Sequence, residues 1–347
     1  MSPKKDKTLL TGNEAAVLGA IDAGATIMYG YPITPATEIL EGWIATAEKN
    51  RDLKYLQTED EIAAGFGVIG SVLAGVKSFT ASAGPGHVLL QDAISMAENL
   101  RLPFVGIMMQ RGGPSTGTVN YSQQEVNLAA FGGNGDGLRI VYSASSVPEM
   151  YELTIKSFQS AWKYRFPTIL LGDGYLGKMK TTIKLKDKRE KIKVDSKPIL
   201  AEDSKHPVNL RNCYSSEEIF GSYLAKNIKD WKKYSGKIAE SESFKVKDAD
   251  MVLIAHGLVA SAAKEAVLEL RKKNKKIGLF RPITLNPFDA ETLIKCRAKK
   301  LIIIESAKDQ LARIVKYEMS GQNRQIIEIS KPAEGFTSDE IIQKIKL

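Results

Sequence analysis

LQTEDEIAAGFGVIGSVLAGVKSFTASAGPG, residues 56–86, is the stretch on which the fold turns. It opens as a short apolar strand whose end carries Glu59, Asp60 and Glu61. A helix dense in small residues follows, then a strand over 76–81 that runs directly into Gly84-Pro85-Gly86. A carboxylate that opens a helix at the carboxyl edge of a parallel sheet stands where open α/β sheets bind ligands. Ala63, Gly67, Gly70 and Ala74 recur at spacings of three and four, which leaves one helix face nearly bare. Interior glycines cost about 1 kcal/mol each relative to alanine. The stripe therefore predicts a close approach, either by the helix's own sheet or by another backbone.

Outward from this stretch, strand and helix patterns alternate. Strands fit 26–31, 53–57, 76–81, 104–109, 139–143 and 168–171, and helices fit 12–23, 35–48, 61–74, 87–99 and 147–164. Such alternation predicts a doubly wound α/β domain, a parallel sheet with helices on both faces, over residues 8–178. Lysine takes over from 179 to 247, with Pro198 and Pro207 as punctuation and one amphipathic helix near 217–233. This reads as a basic connecting region that wraps a surface. Alternation resumes over 248–347, with strands at 251–255, 277–280 and 301–305, helices at 260–274 and 289–295, and a last helix and strand ending near Ile329. A second, smaller α/β domain is expected there.

The bulk properties remove several function classes. At 347 residues the chain can bury a separate core in each of two domains. No apolar run is long enough for a bilayer, and the polar start Met1-Ser2-Pro3-Lys4-Lys5 lacks a signal-peptide core, so a cytoplasmic protein is expected. Net charge is +9, from 49 basic against 40 acidic residues. The excess concentrates over 178–197 and 226–237, interleaved with acids and without a nucleic-acid module, so no nucleic-acid partner is expected. A solvated lysine surface explains it first and docking to an acidic protein second. The only cysteines, Cys213 and Cys296, lie far apart and build neither a disulfide framework nor a cluster site. His87, His206 and His256 form no metal-spaced pair, so no metal site is expected on this chain.

The 56–86 stretch resembles the pyrimidine-binding domain of thiamine diphosphate enzymes, whose helix-opening Glu precedes a small-residue helix and a Ser-Gly-Pro-Gly-like turn. Together with Tyr31-Pro32-Ile33-Thr34-Pro35 and Gln110-Arg111-Gly112-Gly113-Pro114-Ser115-Thr116-Gly117, the chain resembles the alpha subunits of 2-oxoacid:ferredoxin oxidoreductases. The likeness is strong over 12–174 and looser from 248 onward, where the second domain is similar to the carboxy-terminal domain of the transketolase group. It implies oxidative decarboxylation of a 2-oxoacid to acyl-coenzyme A with ferredoxin reduction, or the reverse. 2-Oxoglutarate is favoured over a branched-chain 2-oxoacid or pyruvate. A non-redox thiamine decarboxylase or transketolase half, and a non-catalytic assembly subunit, are the competing readings.

The resemblance also assigns residues. The count separating the family's Glu from a helix glycine leads from Glu61 to Gly70, but from Glu59 to Val68, so Glu61 is the expected catalytic carboxyl at the cofactor's pyrimidine. Glu59 and Asp60 read as charge at a helix N-terminus. Tyr31, Pro32, Gly84 and Gly86 are expected beside the cofactor. Thr34 is expected to hydrogen-bond the substrate; read without the family, Thr34 and Thr37 would be helix caps. Arg111 is expected to hold the 2-oxoacid carboxylate through a bidentate fork, orienting it more than stabilising it. Asn120 is kept as a substrate contact, although the loop Thr118-Val119-Asn120-Tyr121 departs from the family's pattern and its substrate rule does not transfer. Gly135-Asp136-Gly137 and Gly172-Asp173-Gly174 look like the start of a magnesium–diphosphate motif, but neither is followed by the asparagine pair it needs. Thiamine diphosphate is therefore expected to be shared with a beta subunit that supplies Mg2+, the diphosphate half and a 4Fe–4S cluster. Gamma and ferredoxin-like delta subunits, ferredoxin and coenzyme A complete the implied partners.

Overall fold

Apolar runs that end in turns become the strands of two mainly parallel sheets in the computed structural model, which describes residues 7–184 and 208–345. In chain order the strands are β1 (Lys7–Thr11), β2 (Ile27–Gly30), β3 (Lys54–Gln57), β4 (Ser78–Ser82), β5 (Val105–Gln110), β6 (Ile140–Ser143) and β7 (Thr168–Asp173). They continue with β8 (Lys180–Lys184), β9 (Ser241–Phe244), β10 (Met251–Ile254), β11 (Ile277–Pro282), β12 (Thr284–Asn286), β13 (Lys300–Glu305) and β14 (Gln325–Ser330). The first sheet has the order β12-β6-β7-β5-β4-β2-β3 and the second β14-β13-β10-β11-β9. Only β12 and β9 run antiparallel to their neighbours in these sheets.

Central strands β4, β5 and β7 are buried at every residue, as strands covered on both faces must be. β3 forms one edge of the first sheet and is exposed at every residue, including Tyr55 and Leu56. Local signals fix the helices between them. Thr11 and Glu14 make a capping box at the start of Gly12–Asp22, and Ser146 caps Val147–Tyr164, which ends at a left-handed Arg165. In β10 the side chains alternate: Val252 and Ile254 join the core that continues from the first sheet, while Met251 and Leu253 join a separate core beneath the Gly257–Lys272 helix.

The expected doubly wound sheet with a smaller α/β unit is the observed architecture. Several details differ from the sequence reading. The single helix expected over 87–99 is two, Pro85–Leu89 and Gln91–Asn99. β1, β8, β9 and β12 were not expected. β1 pairs antiparallel with β8, and β12 leaves the second half of the chain to pair with β6 in the first sheet. The 217–233 helix extends over Glu217–Ile238 and packs on the first sheet's helices. Trp231 meets Phe166 edge-on at 5.0 Å, and the Arg101 guanidinium lies 3.9 Å above the Phe166 ring while donating to Asp230. The stretch around Pro198 and Pro207 lies outside the described residues.

Candidate active site

Adjacent strands β5, β4, β2 and β3 deliver their following turns to one edge of the first sheet. Past β3, Asp60 caps the Glu61–Leu73 helix by accepting from Ala63 N at 2.8 Å. That leaves Glu61, the first helical residue, free to turn inward, where it is only 3% exposed. Glu59 remains exposed. The Glu61 carboxyl accepts from Ser82 Oγ at 3.2 Å. Burial raises its pKa, and the hydrogen bonds from its own backbone and from Ser82 only partly oppose this.

Past β4 comes the Gly84-Pro85-Gly86 turn. A side chain at Gly86 would place its Cβ 2.0 Å from Glu61 Oε1, so the carboxyl needs glycine there. Gly84 has φ +53°, and a Cβ on it would fall 2.6 Å from Arg111 Nε. Arg111 follows β5 directly and is 6% exposed. Its Nη1 donates to the Thr34 carbonyl at 2.8 Å, while its buried Nε has no hydrogen-bond partner among the described residues.

Thr34 is half-buried in the turn after β2, and that turn is also held by Asn13 Nδ2 on the Pro35 carbonyl at 2.9 Å. The next helix, Thr37–Ala47, has Ala36 at its cap position and no side-chain capping bond, so neither Thr34 nor Thr37 serves as a cap. Tyr31 and Pro32 lie exposed on the same turn. Asn120 lies on the loop that follows Arg111, near the turn that carries Pro35. It is exposed, and its carbonyl sits so close over Gly174 that a Cβ there would be 1.5 Å away. The structure thus brings Glu61, Gly84, Gly86, Arg111 and the Thr34 carbonyl together, with Asn120 exposed on the loop that follows Arg111.

The small-residue stripe divides into two uses. Gly67 accepts the Tyr29 ring of its own sheet, with 2.4 Å left for a Cβ, whereas Gly70 meets nothing within 4 Å. Gly70 shares an exposed face of the helix with Ile62 and Phe66. Asp173, in the rejected magnesium-like motif, is buried and accepts from Leu176 N at 2.8 Å, with its pKa pushed up to about 7 by burial. Among the described residues no cluster of three or more His, Cys, Asp or Glu is placed to hold a metal ion.

Sequence reasoning missed Asn13, Ser82 and Glu125. Glu125 joins three parts of the site, accepting from Gly84 N at 3.0 Å and Arg111 N at 2.9 Å and lying 2.8 Å from His87 Nδ1. The sequence carries no motif for it; its only signal is a carboxylate at the end of a polar loop. The loop from Arg111 to Glu125 is seated on the second sheet. Tyr121 donates to Ser306 Oγ at 2.9 Å, and Gln123 binds both the His256 carbonyl and Ser306 N at 2.9 Å.

Residues 18–245 match the family model described as pyruvate flavodoxin/ferredoxin oxidoreductase, thiamine diphosphate-binding, and residues 249–339 match pyruvate:ferredoxin oxidoreductase core domain II. The chain belongs to the 2-oxoacid:ferredoxin oxidoreductase family. Within that family it is 34% identical to the 2-oxoglutarate synthase subunit KorA of Methanocaldococcus jannaschii, over 87% of this chain and 89% of that one. It is equally 34% identical to the ketoisovalerate oxidoreductase subunit VorB of Methanothermobacter marburgensis, over 97% and 92%. A solved 2-oxoglutarate:ferredoxin oxidoreductase from Magnetococcus marinus, with 2-oxoglutarate, coenzyme A and succinyl-CoA bound, superposes with a TM-score of 0.86 at 28% identity. The match covers 98% of this chain but 65% of that longer one. A split-gene transketolase in an inactive beta4 tetramer shares the fold, with a TM-score of 0.57 at 12% identity over 96% and 91% of the two chains.

Proposed function

We propose that this chain is the alpha subunit of a cytoplasmic 2-oxoglutarate:ferredoxin oxidoreductase and contributes the pyrimidine and substrate-carboxylate half of its active site. The observation that carries the reading is the placement of buried Glu61 and buried Arg111 against opposite ends of one Gly84-Pro85-Gly86 turn. Bound thiamine diphosphate supplies the nucleophilic carbon that carries a 2-oxoacid through decarboxylation. The residues fit its pyrimidine end and the substrate beside it: for the pyrimidine, a buried carboxyl with raised pKa and a glycine that leaves that carboxyl room, and for the substrate a guanidinium with an unpartnered buried Nε.

In this role Glu61 holds a proton at the pyrimidine ring nitrogen, and its burial keeps that proton from solvent. Arg111 binds the 2-oxoacid carboxylate, with its Nη1 tied to the Thr34 carbonyl so that the fork is held in one orientation. The Thr34 hydroxyl, on the same turn, faces the substrate's polar end. Tyr31 and Pro32 border the cofactor. A beta subunit brings Mg2+, the diphosphate contacts and a 4Fe–4S cluster, and gamma and delta subunits, ferredoxin and coenzyme A complete the cycle. The bare β3 edge, with Tyr55 and Leu56 exposed, and the exposed Ile62 and Phe66 of the helix that follows it support a partner surface near the site.

A branched-chain 2-oxoacid is the second reading, favoured by the equal identity to VorB. Copurification with the partner subunits, followed by viologen or ferredoxin reduction with a panel of 2-oxoacids, decides between them. 2-Oxoglutarate should give the highest kcat/KM. Preference for 2-oxoisovalerate would install the second reading, and no 2-oxoacid-dependent reduction by the assembled complex would sink both.

A further inference from the structure

We infer that Glu125 is a positioning residue that locks Arg111 and the Gly84 turn into one unit and so sets the affinity for the 2-oxoacid carboxylate. The inference rests on the reading of Arg111 given above.

Glu125 is 5% exposed and immediately precedes the Val126–Phe131 helix, yet its side chain makes no capping bond to that helix. It reaches instead across the site. One oxygen, Oε1, accepts from the backbone N–H of Gly84 at 3.0 Å and of Arg111 at 2.9 Å. The other, Oε2, meets His87 Nδ1 at 2.8 Å. Gly84 and Arg111 each lie just past the end of a strand, β4 and β5, where the sheet ladder has ended. A carboxylate is the strongest acceptor available for amides in that position.

The consequence for Arg111 is geometric. Its guanidinium packs over Gly84, where a Cβ would stand 2.6 Å from Nε, and Nη1 is fixed on the Thr34 carbonyl at 2.8 Å. The backbone from which Arg111 springs and the surface on which it lies are therefore held by the same oxygen atom. Gly86, two residues beyond Gly84, abuts Glu61 Oε1, so the same anchor also fixes the spacing between the arginine and the buried carboxyl. Glu125 itself reaches neither Glu61 nor Thr34 by a hydrogen bond; it acts through the turn and through Arg111.

The test uses the assembled multi-subunit enzyme and steady-state viologen reduction, comparing Glu125→Ala, Glu125→Asp, Glu125→Gln and Arg111→Lys. Glu125→Ala should raise KM for the 2-oxoacid about ten- to a hundredfold, the scale of a small misplacement at a reacting centre. Apparent thiamine diphosphate affinity and the yield of assembled complex should change much less. Glu125→Asp, one methylene shorter, should raise KM in the same direction and carries the test if the alanine variant does not assemble. Glu125→Gln keeps an oxygen for both amides, and its NH2 can donate to the other His87 tautomer, so KM should return close to wild type. A merely structural role would lower yield or kcat and leave KM where it was, and that result overturns the inference. Glu125→Gln behaving like Glu125→Ala also overturns it. If Arg111→Lys raises KM while Glu125→Asp does not, this inference falls and the reading of Arg111 stands. If Arg111→Lys leaves KM unmoved, the reading of Arg111 falls, and the inference with it.

Discussion

The carboxyl ends of the two parallel sheets carry similar buried polar residues but treat them differently. At the second sheet, Glu305 accepts from the N–H groups of Gln310 and Leu311, Ser306 is bound on both its backbone and its hydroxyl by Gln123 and Tyr121, and His256 Nδ1 meets Ser143 Oγ. Its carboxylate is saturated by the start of the next helix and its loop ends by the neighbouring domain. At the first sheet, Glu61 has a single side-chain hydrogen bond, and Arg111 keeps a buried Nε without a partner. Both carboxyls have pKa values raised by burial, so the shift alone does not separate them. The partners of the two carboxyls do: Glu305 accepts from two backbone N–H groups of the next helix, whereas Glu61 has one side-chain hydrogen bond. Among the described residues, unpartnered buried nitrogens stand at both edges, on Arg111 Nε and His256 Nε2. The second sheet's edge is a support for the Arg111–Glu125 loop, and the first sheet's edge is the site that this loop completes.

The comparison is most exposed to Glu61→Gln. The amide keeps the size but cannot exchange a proton, so turnover and thiamine C2 hydrogen–deuterium exchange in the assembled enzyme should fall roughly 100- to 10,000-fold, the usual range for a lost acid–base group. Exposed Glu59, changed to Gln, should stay near wild type. An effect of Glu59→Gln exceeding that of Glu61→Gln would move the site two residues along the chain.

The two edges also predict opposite pH dependences of stability. Burial holds His256 neutral to about 3, against an ordinary value of 6.5. Between those values the unfolded chain binds the extra proton, so stability is lost as pH falls from about 6.5. Asp173 at the first sheet is pushed from 3.8 up to about 7, so in that window the folded chain holds the extra proton and stability falls as pH rises. Denaturant titrations from pH 4 to 7 should show His256→Asn and Asp173→Asn changing the slope in opposite senses, each by at most about 1.4 kcal/mol per pH unit. Parallel changes would contradict the contrast.

Smaller effects sharpen the supporting role of the second sheet. Gln123→Leu removes both hydrogen bonds of a buried two-sided clasp, leaving the His256 carbonyl and Ser306 N–H without it, and should destabilise the chain by about 1–3 kcal/mol in denaturant melts. Tyr121→Phe deletes one hydroxyl bond to Ser306 and should cost about 1 kcal/mol. If Tyr121→Phe proved the more damaging, the loop would hang on the Tyr121 hydroxyl bond to Ser306 more than on Gln123, because phenylalanine keeps the ring stacked on Tyr175.

Legibility followed the range of the interaction. The helix over 147–164 is found at its expected bounds because Ser146, Pro148 and the following Arg165 mark them locally. Glu61 was separable from Glu59 and Asp60 because the family's spacing singles it out, and the cap made by Asp60 now gives the physical reason why Glu61 turns inward. β12 was not legible: three residues, Thr284–Asn286, ahead of a proline read as a loop, and only the distant β6 makes them a strand. Glu125 escaped for the same reason, since its partners Gly84 and His87 lie 41 and 38 residues away.

The position of β12 carries a consequence for biosynthesis. The first sheet is complete only when Thr284–Asn286 has left the ribosome, long after β7, the last of its other strands, has been made. Until then β6 is an open edge able to pair with the same edge on another nascent chain. A truncated gene ending before Thr284 would yield a polypeptide with every residue of the proposed site and a permanent adhesive border.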